Sequence, residues 1–134
     1  DILSEVIKQK DRNVQRNAEQ YLAMYGAFTI SAVTFHEIMA GAVHRYATDQ
    51  VQMLEAELRL HHLELPSELD FMTSADIRGR SRRAGVMIAM ADSLIAATAS
   101  RLGLTLATGN TAHFEAIRQF GLDLKIVNWR EPAP

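Results

Sequence analysis

The apolar positions of this chain alternate between a helical and an extended spacing along its length. A helical period predicts amphipathic helices, and short runs of bulky residues bounded by turn residues predict strands. Helices are predicted over 2–8, 11–26, 34–46, 48–60, 67–83, 89–102 and 110–120, and strands over 27–33, 61–65, 104–107 and 122–127. Because helices separate the strands, the order predicts an α/β fold with a mainly parallel sheet flanked by helices.

Local signals mark several ends of these elements. Asp11 is expected to open the second helix and Gly26 to end it, and Ser67 followed by Asp70 has the spacing of a capping box. A parallel sheet covered on both faces also needs a strongly apolar central strand. None of the predicted strands is apolar enough for that place, so one strand is expected to be missing.

The composition fits a single domain, with 134 residues, a net charge of −2 and 48% hydrophobic residues. The chain has no cysteine, which excludes disulfides and cysteine-ligated metal sites and suits a reducing compartment. Its longest nearly apolar stretch, 84–99, contains Asp92 and is shorter than the roughly 20 residues that span a bilayer. The chain starts without the pattern of a secretory signal. No membrane partner and a cytoplasmic location are therefore expected.

Three polar residues follow or approach the carboxyl ends of predicted strands. Glu37 follows the first strand, Asn110 follows the third, and Asp92 begins the helix that leads into the third. The carboxyl ends of parallel strands meet at one edge of a sheet, where ligands usually bind. Oxygen ligands of this kind suit hard cations such as Mg²⁺ or Mn²⁺.

Each of these residues also has a structural interpretation. Glu37 has capping-box spacing from Thr34, and Asn110 is suited to cap the following helix. Asp92 in the first turn of its helix would gain from the helix dipole. His113, one turn after Asn110, fits either a partly exposed helix position or the same edge of the sheet. The arginines between 78 and 83 fit either a solvated helix face or phosphate contacts.

Four segments of the chain carry a family resemblance. The stretch ADSLIAATASRLGLTLATGNTAHF, from Ala91 to Phe114, closely resembles the carboxyl-terminal motif of PIN-domain toxins of the VapC type. SAVTFHEIMAGA, around Glu37, resembles the second motif of that family. DILSEVIK at the start resembles the segment just after the first catalytic aspartate, and LKIVNW resembles the last strand. The segments occur in family order and span nearly the whole chain.

The resemblance implies a PIN-like three-layer sandwich and an endoribonuclease that depends on Mg²⁺ or Mn²⁺. Glu37 matches the second acidic position and Asp92 the third, while Asn110 and His113 lie where the variable fourth position falls. Asp1 matches the third residue of the first motif, which implies that it belongs to the metal site and orients metal-bound water. The resemblance thus implies that 1–134 is a single PIN domain without its first strand and first catalytic aspartate.

The resemblance further implies two protein partners, a cognate antitoxin and a second copy of the chain in a homodimer. Residues on the helices that flank the expected site are of types enriched where surfaces adapt to another chain, although each also fits the core of the domain: Tyr21, Met24, Tyr25, Met39 and Tyr46. For Met39 the core interpretation is the favoured one.

Two other classes of function stay open at this point. A PIN-like domain that binds nucleic acid or protein without cleaving is favoured by the neutral Asn110 at the fourth position. A receiver-like signalling domain also gathers acids at a sheet edge. It needs an acceptor aspartate at a strand end, and the strand that ends at Leu65 and Pro66 has none.

Overall fold

The computed structural model describes residues 1–133, which form seven helices and four short strands. The helices are α1 (Ile2–Lys8), α2 (Arg12–Tyr25), α3 (Ala32–Arg45), α4 (Thr48–Leu58), α5 (Glu68–Arg83), α6 (Met90–Arg101) and α7 (Thr111–Arg118). The strands are β1 (Thr29–Ser31), β2 (His62–Glu64), β3 (Thr105–Ala107) and β4 (Lys125–Val127). The predicted elements are all present, and their order confirms the α/β class.

The strands form two parallel pairs. β1 pairs with β2, with Ile30 opposite Leu63, and β3 pairs with β4, with Leu106 opposite Ile126. No strand formed by residues 1–133 joins the two pairs. The central strand expected from the sequence pattern therefore stays a prediction.

Local capping explains where several helices begin and end. The Asp11 side chain accepts hydrogen bonds from the N–H groups of Asn13 and Val14, and Gly26 ends α2 with φ of 79°. Ser67 and Asp70 form the predicted capping box, with bonds of 2.8 and 3.2 Å. These ends are confirmed because each depends on residues within one turn of the helix end.

The hydrophobic core divides into two clusters. One packs α5, α6 and α7 against β3 and β4, and its buried residues are Ile77, Ile88, Ala96, Ala99, Phe114, Ile117 and Leu124. The other packs α1 to α4 against β1, around Ala18, Phe28, Ile30 and Leu58. Met39 packs against this second cluster, so its core interpretation is confirmed. Met24, Tyr25 and Tyr46 are exposed instead.

A buried polar network sets the position of α6 against α5. Arg101 donates from Nε and Nη2 to the two carboxylate oxygens of Asp70, at 2.9 and 3.0 Å. Thr98 Oγ1 donates to the same carboxylate at 3.0 Å. Burial would raise the pKa of Asp70, but hydrogen bonds led by that of Arg101 more than offset it, so this pKa lies below its usual value. The network holds α6 in one register on α5.

Within residues 1–133, no helix has both the length and the apolar character needed to cross a membrane.

Candidate active site

A cavity of about 550 Å³ lies between the two strand pairs. Residues of β1 and β3 line it, together with residues of α1, α2, α3 and α6. Five polar residues were predicted from strand ends and family motifs. Four of them line this cavity, namely Asp1, Glu37, Asp92 and Asn110, whereas His113 is not among the lining residues. The folded chain therefore brings together residues that are far apart in the sequence.

Glu37 does not close the start of its helix. Ser31 is the N-cap of α3 and accepts a hydrogen bond from the Val33 N–H at 3.2 Å. The helix thus begins two residues earlier than predicted, and Glu37 lies in its second turn. The capping-box interpretation with Thr34 is wrong, and Glu37 is an exposed carboxylate at the cavity.

Asp92 lies in the first turn of α6, as predicted, with 34% of its side chain exposed. The amino end of a helix favours a negative charge there. The Nε2 atom of His113, on α7, lies 2.9 Å from Asp92 Oδ2. This Nε2 atom is buried and has no aligned hydrogen-bond partner among the described residues. Asp92 and His113 therefore form a close pair that joins α6 to α7.

Asp1 connects the start of the chain to the loop after β3. Its Oδ2 accepts a hydrogen bond from the Gly109 N–H at 2.7 Å, and its Oδ1 accepts one from the Thr108 hydroxyl at 3.4 Å. Asn110 is the N-cap residue of α7, but its side chain makes no capping bond to any residue in 1–133. The loop is thus held through Asp1, and the Asn110 amide lines the cavity.

Three charged residues at or beside the cavity were not predicted. Glu64 ends β2 and lines the cavity, and the same strand-end rule that selected Glu37 also applies to it. Arg130 follows β4 and pairs with Glu5 on α1 and, at 3.7 Å, with Asp1. Glu5 and Arg130 gave no sequence signal, because their pairing depends on a contact between the two ends of the chain.

The polar side chains of a largely apolar lining suit a hard divalent cation. Mg²⁺ prefers carboxylates and amide oxygens, keeps several waters, and is often held by only one or two carboxylates. Glu37 and Asp92 provide two carboxylates, and Asp1 and Asn110 provide further oxygen atoms. Over residues 1–133, no three acidic or histidine groups converge closely enough to hold one ion by themselves. The donor chemistry therefore fits an ion that retains water ligands.

Comparisons with known proteins place this geometry in context. The model of a family described as PIN domain matches residues 1–119. The structure of VapBC-1 from nontypeable Haemophilus influenzae is similar with a TM-score of 0.80 and 21% identity, over 98% of this chain and 95% of that one. The structure of FitAcB from Neisseria gonorrhoeae is similar with a TM-score of 0.76 and 25% identity, over 96% of this chain and 93% of that one. A toxin-antitoxin complex from Klebsiella pneumoniae is similar with a TM-score of 0.68 and 23% identity, over 98% of this chain and 94% of that one. No curated protein matches the chain.

Proposed function

Since this chain belongs to the PIN domain family, as its resemblance to VapC-type toxins predicted, we propose that it is a metal-dependent endoribonuclease, the toxin of a toxin–antitoxin system. Its fold is the PIN-like α/β sandwich expected from the sequence. The observation that carries the proposal is the meeting of Glu37, Asp92 and Asn110 at one cavity. Glu37 follows β1 and Asn110 follows β3, and residues beyond the carboxyl ends of parallel strands are where open α/β folds bind ligands.

Each residue at the cavity has a defined task in this proposal. Glu37 and Asp92 hold Mg²⁺ or Mn²⁺, which when bound stabilises the charge that develops on the phosphodiester. Asp1 and Asn110 orient water ligands through their oxygen atoms. His113, whose Nε2 lies 2.9 Å from Asp92 Oδ2, is assigned the contact with the scissile phosphate. No side chain acts as a nucleophile, because water is the attacking group.

The direct test is cleavage of single-stranded RNA by the purified protein, with the first strand and first catalytic aspartate implied by the resemblance restored upstream of Asp1. Incubation with Mn²⁺ or Mg²⁺ is expected to shorten the RNA, and EDTA is expected to stop this, with activity restored by excess metal. If the protein binds the RNA but leaves it intact with either ion, the result would instead support the non-cleaving PIN-like domain. That second function is favoured by the neutral Asn110 and by the lack of a three-group metal cluster over residues 1–133.

The partner in this proposal is a small antitoxin that lies across the first helices. Met24 and Tyr25 at the end of α2 are 73% and 64% exposed, and Tyr25 also lines the cavity. Exposed methionine and tyrosine side chains are enriched at protein interfaces. A basic side chain of the antitoxin placed among the carboxylates would oppose cation binding by charge.

We therefore expect that a small protein encoded next to this one co-purifies with it and weakens its affinity for Mn²⁺. The measurements are size determination of the co-expressed pair and Mn²⁺ titration of the chain with and without its partner. The homodimer is expected in the same size measurement. A lone monomer together with no interacting neighbour would contradict the toxin assignment.

A further inference from the structure

Arg130 occupies a defined place at the edge of the acidic cavity. Its Nε donates to Glu5 Oε1 at 2.9 Å, and its Nη2 contacts the same oxygen. Nη2 also lies 3.7 Å from Oδ2 of Asp1, which lines the cavity. The hydrogen bond to Glu5 raises the pKa of Arg130 further, so the side chain carries its charge throughout the physiological range.

The guanidinium group packs directly on the backbone of Gly109. A Cβ atom at Gly109 would lie 2.2 Å from Nη1 and 2.3 Å from Cζ of Arg130. Such distances are far below van der Waals contact, so a side chain at position 109 would push the flexible end of Arg130 out of this position. Gly109 itself is held by the hydrogen bond from its N–H to Asp1. The position of the guanidinium is therefore set on two sides, by Glu5 and by Gly109.

The backbone around Arg130 is also anchored, although it lies beyond the last strand. The Asn13 side chain donates to the Arg130 carbonyl at 2.8 Å, and the Asn17 side chain donates to the Trp129 carbonyl at 3.0 Å. The Arg130 N–H donates to Asn128 Oδ1 at 3.1 Å. Side chain and backbone of Arg130 are thus both fixed before any ligand arrives, which reduces the entropy cost of binding.

One end of the guanidinium is left available. Nε and Nη2 face Glu5, whereas Nη1 has no hydrogen-bond acceptor within residues 1–133, and 41% of the side chain is exposed. Arginine is well suited to bind phosphate oxygens, because its N–H groups form a planar, charged fork. An anionic substrate that approaches a cavity lined by carboxylates also needs a positive group at its edge.

We propose that Arg130 binds a backbone phosphate of RNA at the edge of the cavity, with Glu5 and Gly109 holding its guanidinium in place. This inference rests on the proposed function and adds a substrate contact outside the carboxylate set. The competing possibility is that Arg130 only clamps the two ends of the chain together. The two possibilities differ for a variant that keeps the charge of Arg130 but moves its guanidinium. Phosphate binding predicts a weaker affinity for RNA, whereas a clamp alone predicts an unchanged one.

The test measures the affinity of the full chain for a labelled single-stranded RNA by fluorescence anisotropy, in EDTA and at several salt concentrations. R130A removes the contact and is expected to weaken binding about tenfold. It should also reduce the slope of log affinity against log salt by about 0.7. G109A keeps every charge but displaces the guanidinium, and it is expected to weaken binding several-fold. Thermal unfolding of each variant checks that it is folded.

Two controls match these variants. G79A is the control for G109A, because it makes the same chemical change on α5, where a Cβ meets open space. K125A is the control for R130A, because it removes one positive charge at the start of β4, the end of that strand far from Arg130. Both are expected to bind RNA within about twofold of wild type. Wild-type affinity in R130A and G109A would overturn the inference, as would an equal loss in K125A.

Cleavage assays run in parallel with Mn²⁺ separate this inference from the proposed function. Suppose that the wild-type protein cleaves RNA but that R130A and G109A keep its RNA affinity. The nuclease assignment would then stand, and the role of Arg130 would be rejected. Wild-type protein that neither binds nor cleaves RNA would reject both.

Discussion

Replacing Asp92 by asparagine is expected to reduce metal-dependent RNA cleavage by at least about 100-fold. Asparagine keeps the shape of the side chain but removes the negative charge, and a neutral amide is a much weaker ligand for Mg²⁺ or Mn²⁺. Since loss of a residue that merely supports a metal ligand already costs 10- to 100-fold, loss of a ligand charge should cost more. The His113 side chain would also lose its charged neighbour at 2.9 Å.

The measurement is the rate of RNA cleavage with Mn²⁺, alongside thermal unfolding without metal. The unfolding temperature should stay close to that of wild type, because Asp92 is partly exposed and makes no capping bond, and because asparagine keeps an oxygen atom beside His113 Nε2. D123N is a matched control, since Asp123 is an exposed carboxylate in the loop before β4 and does not line the cavity. Full activity in D92N would remove Asp92 from the proposed site.

The second large effect is on stability. D70A is expected to lower the free energy of unfolding by about 3 kcal/mol. Asp70 is only 1% exposed and accepts two hydrogen bonds from Arg101 and one from Thr98. Alanine leaves those donors without their acceptor and leaves a cavity between α5 and α6. Partial exposure of Arg101 keeps the loss below that of a fully buried pair.

Urea denaturation of wild type and D70A measures this difference, and its pH dependence gives an independent check. Because the pKa of Asp70 is lowered by folding, the stabilisation is present above the carboxyl's unfolded pKa and is lost as the pH falls through its folded pKa. The two proteins should therefore converge in acid. D76A is the control, because the Asp76–Arg80 pair on the same helix is exposed and should contribute less than about 1 kcal/mol. Equal losses in D70A and D76A would contradict the role assigned to the buried network.

Asp70 also shows how far sequence signals reach. Its capping box with Ser67 is visible in the sequence, because the two residues are three positions apart and act within one helical turn. Its pairing with Arg101 spans 31 positions and depends on how α6 packs on α5. The same carboxylate thus has one function that local spacing predicts and another that only packing reveals.

The candidate site divides in a similar way. Asp92 was predicted as a first-turn carboxylate because the stretch 89–102 itself indicates a helix, although its N-cap Ala89 provides no side-chain cap. Glu37 had two possible interpretations in the sequence. Ser31 and Thr34 are both able to cap a helix, and the choice of Ser31 followed from where β1 ends against β2. That choice placed Glu37 beyond the cap and at the cavity.

The sequence by itself determined the types and order of the elements, most helix ends and the acidic motifs, because these depend on side-chain period and on contacts within a few residues. Only the tertiary structure decided which charges meet. The Asp1–Gly109 bond joins residues 108 positions apart, and the Glu5–Arg130 pair joins residues 125 positions apart. Such contacts leave no periodic trace in the sequence, since they arise when separately formed elements pack and bring distant parts of the chain together.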